Sequence, residues 1–366
     1  MATADDDRRH MTRAIELARR GEGAVEPNPM VGCVLVRDGR VIGEGWHQRF
    51  GGPHAEVEAL AAASEAARGA TAFVTLEPCA HLGKTPPCTR ALIAAGVARV
   101  VVGAVDPNPE VNGRGLVELQ QAGVKTEIAV LAEEAGKLIA PFRKLATQLR
   151  PWVIAKWAMT LDGKLATQTG SSRWISGEGS RARVHQTRGR VDAIVVGRGT
   201  VDADDPLLTA RPAGPRVATR VVLDSRASLP LSSQLVRTVE QAPVLVAASD
   251  EAPADRCTRL REHGVEVWQS AAADPDGRLL ELLAELGRRQ MTNILVEGGA
   301  RVFGSLLDAA AIDEVHAFVA PRLVGGPAPS PLAGRGVAEM SLALQLSAIR
   351  TERLGDDILI QGRVRR

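Results

Sequence analysis

The sequence predicts an α/β protein of two domains. Its 366 residues exceed the ~100–200 residues of one typical domain. Short runs rich in Val, Ile and Ala alternate with segments whose apolar residues recur at helical spacing, a pattern typical of α/β layers. A charged helical segment ends at Pro151, where a fresh apolar run begins. We therefore expect one domain over residues 1–147 and a second over residues 148–366.

The first half begins with helical spacing in residues 8–20. Two runs rich in Val and Ile then flank Asp38-Gly39, a dipeptide that favours a tight hairpin turn. An Ala-rich helix follows from residue 54. The remaining elements alternate as strand 71–76, helix 89–96, strand 97–105, helix 116–123, strand 124–130 and a helical segment over 132–150.

The second half shows the same alternation of short strands and helices. We expect residues 198–211 to form a Gly-x-Gly turn and a polar loop, and residues 325–336 to form a Pro- and Gly-rich loop. The predicted strands are 152–159, 192–197, 220–224, 242–249, 265–269, 293–299 and 314–321, and the predicted helices are 277–290 and 300–312.

The composition argues against a nucleic-acid or membrane partner. Lys and Arg (45) nearly balance Asp and Glu (43), whereas nucleic-acid binders usually carry a clear basic excess. Aromatic residues make up only 3% of the chain, so platforms for stacked bases would be scarce. No apolar stretch reaches the ~18 residues of a membrane span, and four Cys do not suggest a disulfide scaffold. We expect a cytoplasmic protein with reduced cysteines.

A candidate zinc site lies in the first half. His54 and Glu56 open the Ala-rich helix, Cys79 follows the strand 71–76, and Cys88 comes after eight intervening residues. Three such ligands leave one corner of a zinc tetrahedron for water, which is the catalytic arrangement. Glu56 can face the same cavity without binding the metal and carry protons. His-x-Glu followed by Pro-Cys and a second Cys is recognised as the pattern of zinc nucleobase deaminases.

Two other interpretations of these residues stay open. The Cys79–Cys88 spacing is longer than the usual Cys-x-x-Cys of zinc deaminases. A closed structural site could use His81 or His47 as a fourth ligand, or the residues could be unrelated. Cys33 lies in an apolar strand and is expected in the core, and Cys257 receives no role.

A candidate phosphate site lies in the second half, where Gly298-Gly299 joins a buried strand to a helix. Small residues let a backbone approach a ligand, and the start of a helix offers free N–H groups to phosphate. Gly197 and Gly199 also follow a strand. The ordinary Gly-x-Gly-x-x-Gly dinucleotide fingerprint is absent, and a simple tight turn remains the alternative.

Motifs along the whole chain resemble one known family. PNPMVGCV (27–34), HAE (54–56), EPCAHLGKTPPC (77–88) and DPNPEVNGRG (106–115) resemble the deaminase half of the bifunctional deaminase–reductase of bacterial riboflavin biosynthesis. Its reductase half is similar, in order, to AKWAMTLDGKLA (155–166), SRWIS (172–176), VGRGTVDADDPLLTAR (196–211), RVVLDS (220–225) and ILVEGGA (294–300). The resemblance implies a cytidine-deaminase-like three-layer α/β/α domain followed by a dihydrofolate-reductase-like α/β domain.

The resemblance also implies two reactions. The first is zinc-dependent hydrolytic deamination of 2,5-diamino-6-(5-phosphoribosylamino)pyrimidin-4-one. The second is NADPH-dependent reduction of the ribosyl group, which gives 5-amino-6-(5-phosphoribitylamino)uracil. It implies Zn²⁺ and NADPH as cofactors, a phosphorylated pyrimidine as the substrate, and a homo-oligomer.

Site residues are carried over by position. The implied zinc ligands are His54, Cys79 and Cys88, and the implied catalytic residues are Glu56, Lys156 and Asp204. The implied NADPH contacts are Ala158, Trp174, Thr200, Asp204, Ser225, Gly299, Ala300, Arg301, Val302, Phe303, Gly304 and Ser305. The implied substrate contacts are Asn28, His81, Lys84, Ser172, Arg188, Leu208, Arg211 and Glu297.

The same residues are also compatible with three other functions. An RNA or DNA deaminase would share His54, Glu56 and Cys79 but would need a basic, aromatic-lined groove. A folate-type reductase fused to an inactive deaminase would bind no zinc. A non-enzymatic regulator would turn over neither substrate.

Overall fold

The computed structural model describes residues 4–82, 86–108 and 111–365. The chain divides into two compact units, Met1–Leu149 and Arg150–Arg366. Lys84 lies outside the described residues. Among the helices that are described, none combines the length and the apolar character that a membrane span requires.

The first unit alternates helices and strands in the predicted order. Its helices are α1 (Ala4–Ala18), α2 (Ala55–Ala63), α3 (Cys88–Ala94), α4 (Arg114–Gln121), α5 (Ala132–Leu138) and α6 (Ala140–Gln148). Its strands are β1 (Gly32–Arg37), β2 (Arg40–Trp46), β3 (Thr71–Leu76), β4 (Arg99–Ala104) and β5 (Lys125–Ile128).

The predicted hairpin is confirmed at β1 and β2. Asp38 and Gly39 join the two strands with φ of 51° and 74°, the left-handed values that a two-residue type I′ turn requires. In the described part of this unit the sheet order is β2-β1-β3-β4-β5. The β1 strand is antiparallel to β2 and β3, whereas β3, β4 and β5 are parallel.

Helices cover both faces of this sheet. Alternate β1 residues belong to different cores: Cys33 and Leu35 pack with α2, α3 and α4, whereas Val34 and Val36 pack with α1. The period-2 alternation of a strand produces this division. The unit is therefore a three-layer α/β/α structure, and the carboxyl ends of its parallel strands lie at one edge of the sheet.

The second unit contains a larger mixed sheet. Its strands are β6 (Trp152–Thr160), β7 (Ala193–Gly197), β8 (Thr219–Leu223), β9 (Val244–Ser249), β10 (Glu266–Ser270), β11 (Asn293–Gly298), β12 (Glu314–Ala320), β13 (Leu346–Leu354) and β14 (Asp357–Val364). Its helices are α7 (Glu178–Arg188), α8 (Arg198–Asp204), α9 (Gln234–Arg237), α10 (Ala254–Glu262), α11 (Pro275–Arg288) and α12 (Ala300–Asp308).

The strand order over the described residues of this unit is β10-β9-β8-β7-β11-β6-β12-β14-β13. Neighbouring strands from β10 to β12 are parallel, and β14 pairs antiparallel with β12 and β13. One face of the sheet packs against α11 and α12, and the other packs against α9 and α10.

The structure corrects one local expectation and adds several elements, among them the short helix α9. Residues 198–204 form the helix α8 instead of a turn and polar loop, because the strand β7 passes directly into it at Gly197. The helix α7 and the hairpin β13–β14 were not predicted. The β13 strand is mostly exposed on both faces, so it lacks the alternating apolar pattern by which strands are recognised.

Candidate active sites of the two units

The predicted metal ligands converge at the carboxyl edge of the first sheet. His54 immediately precedes α2, Cys79 lies three residues beyond β3, and Cys88 is the first residue of α3. Their ligand atoms all lie within 4.8 Å of one another. The His54 Nδ1 atom lies 3.2 Å from the Cys88 Sγ atom and 3.6 Å from the Cys79 Sγ atom.

These separations fit a zinc ion. Zinc bonds of ~2.0–2.1 Å to nitrogen and ~2.3 Å to sulfur give a nitrogen–sulfur edge of roughly 3.6 Å in a tetrahedron. The described His, Cys, Asp and Glu residues form no larger cluster around this triad. A hydrogen bond from Cys88 lowers the pKa of the Cys79 thiol, so Cys79 readily supplies a thiolate, whereas the same hydrogen bond and burial raise the pKa of the Cys88 thiol.

Glu56 lies beside the triad on the first turn of α2 and is 3% exposed. Burial raises the pKa of its carboxyl to about 7, and the charge of Cys79 adds to the effect. A carboxyl that titrates near neutral pH can both accept and donate a proton.

The His47 side chain orients Asn28. The Asn28 amide nitrogen lies 3.2 Å from His47 Nε2, and His47 Nδ1 lies 2.9 Å from the carbonyl oxygen of Pro53. An Asn28 N–H donating to Nε2 leaves the ring proton on Nδ1, which donates to Pro53. Both ring nitrogens are thus engaged, which excludes His47 as the fourth ligand of a closed metal site. Burial lowers the pKa of His47, in keeping with this neutral form.

Glu77, two residues before Cys79, binds four backbone N–H groups. Its side chain is 4% exposed. The carboxylate accepts backbone N–H groups at 2.9–3.4 Å from Asp106, Gly113, Gly115 and Leu116. This residue was not predicted from the sequence, although its place in the Glu-Pro-Cys motif could have suggested it. The other predicted residue here, His81, is exposed.

The second unit holds a cavity of about 1500 Å³ at the carboxyl ends of β6, β7, β8 and β11. Almost every residue predicted for this half lines it. These residues are Lys156, Ala158, Ser172, Trp174, Arg188, Thr200, Asp204, Leu208, Arg211, Ser225, Glu297, Gly299, Ala300, Arg301, Val302, Phe303 and Ser305.

A buried charge cluster forms one wall of the cavity. Arg188 donates to both carboxylate oxygens of Glu297, at 2.5 Å and 2.9 Å, and Lys156 Nζ lies 3.8 Å from the same carboxylate. Burial alone would raise the pKa of Glu297, but the charge and hydrogen bonds of Arg188 more than offset it, so the pKa is lowered. Burial lowers the pKa of Lys156. Arg188, expected to face a substrate phosphate, therefore has two of its donors on Glu297.

Another part of the cavity wall can hold phosphate groups. The helix α12 starts at the cavity directly after Gly299, whose φ is 93°. Its first N–H groups have no partner within the helix and can bind an anion. A Cβ atom at Gly199 would meet nothing within 4 Å, so that space belongs to the cavity.

Gly304 is placed differently from the sequence expectation. A Cβ atom there would lie 2.2 Å from the carbonyl oxygen of Ala333, so this glycine serves close backbone packing. It does not line the cavity, and we do not retain it as a cofactor contact.

Two predicted residues at the cavity mouth are more open. Trp174 is 62% exposed, and the Arg181 guanidinium lies 4.7 Å from its ring centroid. The Asp204 carbonyl accepts a hydrogen bond from Arg173 at 2.5 Å.

Comparison with known proteins agrees with both sites. Residues 151–360 match the model of the RibD C-terminal domain, and residues 4–104 match the cytidine and deoxycytidylate deaminase zinc-binding region. A riboflavin biosynthesis protein RibD from Actinobacillus pleuropneumoniae is 43% identical over 96% of this chain and 93% of its own length. The Escherichia coli RibD is 38% identical over 97% of this chain and 98% of its own length.

The chain belongs to the RibD family of riboflavin biosynthesis proteins. It is therefore a bifunctional deaminase and reductase that acts on a small pyrimidine substrate. The predicted family, fold class and pair of activities are confirmed.

Solved structures agree with this family assignment. The Acinetobacter baumannii RibD (form 1) superposes with a TM-score of 0.87 at 37% identity, covering 100% of both chains. A Thermotoga maritima structure, a diaminohydroxyphosphoribosylaminopyrimidine deaminase/5-amino-6-(5-phosphoribosylamino)uracil reductase, superposes with a TM-score of 0.85 at 38% identity over 99% of both chains.

Two residues at or beside the RibD reductase cavity were not predicted. His185 lines the cavity, with Nδ1 3.0 Å from the Thr209 carbonyl oxygen and Nε2 3.5 Å from Arg211. Arg220 lies in an apolar strand, and its four hydrogen bonds all go to residues distant in sequence. A charged residue inside an apolar run was the available signal.

Proposed function

We propose that the deaminase domain hydrolyses 2,5-diamino-6-(5-phosphoribosylamino)pyrimidin-4-one and that the reductase domain then reduces the ribosyl group of the product with NADPH. In the first step water replaces the 2-amino group, which leaves as ammonia. In the second step the ribosyl group opens to an imine; a hydride adds to the imine carbon and a proton to its nitrogen, giving 5-amino-6-(5-phosphoribitylamino)uracil. The observation that carries the proposal is a zinc-compatible triad beside a buried carboxyl, in one chain with a large phosphate-compatible cavity.

The deamination chemistry rests on Glu56. Zinc held by His54, Cys79 and Cys88 would supply a water whose pKa is lowered to ~7. Glu56 takes a proton from the nucleophilic water, passes it to the ring nitrogen, and delivers a further proton to the departing amine. Its pKa of about 7 suits both directions of transfer.

Substrate binding in this domain is proposed to involve the loop residues and Asn28. The Asn28 amide, held by His47, is positioned to hydrogen-bond to a polar group of the substrate. We assign the substrate phosphate to His81 and Lys84, which the sequence places in one loop.

The reductase cavity has room for a cofactor and a substrate together. Its volume of about 1500 Å³ exceeds the ~300–1,000 Å³ of a pocket for one drug-sized ligand. When bound, NADPH would supply the hydride. We propose that the first turn of α12, together with Gly299 and Thr200, holds the cofactor phosphates.

The remaining cavity residues are assigned to the sugar phosphate. Arg211 and Ser172 can bind phosphate oxygens, and Arg188 contributes through its cluster with Glu297. The ribosyl ring must open to an imine before it is reduced, and this opening moves a proton from the amine nitrogen to the ring oxygen. Lys156 and Asp204 are the groups we assign to that transfer. The lowered pKa of Lys156 makes it a better proton donor than an ordinary lysine.

One mass-spectrometric experiment tests both steps. The purified enzyme is incubated with the diaminopyrimidine phosphate, with and without NADPH. We expect exchange of an amino group for oxygen in both samples and addition of two hydrogens only where NADPH is present. Removal of metal by chelation should stop the first change. An unchanged substrate mass with metal-replete enzyme would contradict the deaminase assignment, and no hydrogen gain by the deaminated substrate with NADPH would contradict the reductase assignment.

A further inference from the structure

A fully buried arginine lies beside the wall of the reductase cavity. Arg220, the second residue of β8, is 0% exposed. Its guanidinium donates four hydrogen bonds, and its Nε has no partner among the described residues. All four acceptors are neutral oxygens. A fully buried cation without a carboxylate partner is rare, and its burial costs free energy. The groups that Arg220 contacts therefore indicate what it does in the protein.

These contacts join the cavity wall to the protein interior. Arg220 Nη1 donates to the carbonyl oxygen of Leu207 at 3.2 Å and to the hydroxyl of Thr238 at 2.7 Å. Arg220 Nη2 donates to the carbonyl oxygens of Thr238 and Ala242. Burial lowers the pKa of Arg220 to about 10, so it stays charged at neutral pH and its hydrogen bonds are charge-assisted.

The segment that Arg220 holds, residues 205–208, lines the cavity. Leu208 is 3% exposed and has a φ of 53°, in the left-handed region that a branched side chain rarely adopts. Such a conformation persists only where the surrounding structure imposes it. The hydrogen bond from Arg220 to the carbonyl oxygen of Leu207 holds the backbone directly before Leu208.

A second set of hydrogen bonds fixes the other end of the segment. The Thr238 hydroxyl, which accepts from Arg220, donates to the carbonyl oxygen of Gln234 at 2.6 Å. The Gln234 backbone N–H donates to the Asp205 carboxylate at 2.8 Å, and its side-chain amide donates to the Asp205 carbonyl. A continuous network therefore runs from Arg220 through Thr238 and Gln234 to Asp205.

We propose that Arg220 is a positioning residue of the reductase. It fixes residues 205–208 as the wall against which the phosphorylated substrate binds, and so places Leu208 and the following Arg211. The proposal rests on the proposed function of this cavity. Arg220 does not contact the α12 turn assigned to the cofactor phosphates. Loss of its hydrogen bonds should therefore raise the KM for the substrate more than the KM for NADPH.

The test compares three variants of the full chain. Arg220→Gln removes the charge, and Thr238→Val removes the hydroxyl that bridges Arg220 and Gln234. Thr292→Val is the matched control, because the Thr292 hydroxyl is buried and has no hydrogen-bond partner among the described residues. Since a misplacement of ~1 Å can cost ~10²-fold, we expect reductase kcat/KM to fall roughly tenfold to a hundredfold in the first two variants. We expect KM for NADPH to stay within about twofold if its site is untouched.

Two further measurements separate positioning from general damage. Deaminase activity on the same chain should be unchanged in all three variants. Backbone hydrogen exchange should become faster over residues 205–211 in Arg220→Gln and Thr238→Val but not in Thr292→Val. Unchanged exchange, unchanged reductase kinetics, or an equal rise of both KM values would overturn the proposal. If Arg220→Gln does not fold, Thr238→Val decides by the same criteria.

The wild-type enzyme is measured first. If it fails to reduce the deaminated substrate with NADPH, the proposed reductase function fails. The exchange comparison then still decides whether Arg220 fixes the wall, because that readout needs no turnover.

Discussion

Removing the charge of Glu297 should strongly destabilise the reductase domain. The Glu297 side chain is 6% exposed and faces Arg188, which is 13% exposed, and Lys156, which is 16% exposed. Glu297→Gln keeps the size of the side chain but leaves two buried cations without this carboxylate. An amide oxygen can still accept one hydrogen bond, but it cannot balance the charge.

The expected magnitude follows from the burial of the cluster. Breaking a buried ion pair by removing one partner costs ~3–5 kcal/mol. A domain of this size loses ~2–4 °C of Tm per kcal/mol, so we expect a decrease of roughly 6–20 °C. The matched control is Glu352→Gln, whose ion pair with Arg183 is much more exposed. Such a surface pair contributes ~0–1 kcal/mol and should shift Tm by less than ~4 °C.

The assay is calorimetric unfolding of the full chain at a series of pH values. The pKa of Glu297 in the folded protein lies below its ordinary value of 4.5. Its stabilisation is therefore fully present above pH 4.5 and is lost as the pH falls through the folded pKa. The variant should be less stable than the wild type at pH 7, and the difference should shrink in acid. A neutral-pH shift no larger than that of Glu352→Gln would refute the reasoning.

Three further predictions concern the two active sites. Glu56→Gln should retain zinc but lower ammonia release by ~10²–10⁴-fold. The control Glu58→Gln, at a half-buried position of the same helix, should leave ammonia release unchanged. Near wild-type deamination in Glu56→Gln would refute the proton-transfer role. Cys88→Ser should lose zinc by elemental analysis while Cys33→Ala keeps it; full zinc content in Cys88→Ser would exclude this ligand. Asp204→Asn should greatly reduce NADPH oxidation and leave deamination intact, and an equal loss of both activities would indicate misfolding or coupled sites instead.

The sequence predicted what depends on local order along the chain. The Asp38-Gly39 turn requires left-handed backbone at both positions, and few residue pairs favour it as strongly. His54, Glu56, Cys79 and Cys88 were predicted as a zinc site because their types and order match the pattern of zinc deaminases. The alternation of strands and helices could be predicted because the period of the apolar residues depends on which face of each element is buried.

Contacts between distant segments were decided only by the tertiary structure. Arg188 and Glu297 are 109 positions apart, and their bidentate pairing is visible only once α7 and β11 are folded. The sequence offers His47 as a possible metal ligand, but its hydrogen bonds with Asn28 and Pro53 are visible only in the folded structure.

Arg220 illustrates the same limit. Residue types and their spacing indicate which chemistry a chain can perform, and both can be recognised within short segments of sequence. The partner of each buried polar group is determined by sheet order and loop closure, which bring together residues that no local pattern connects.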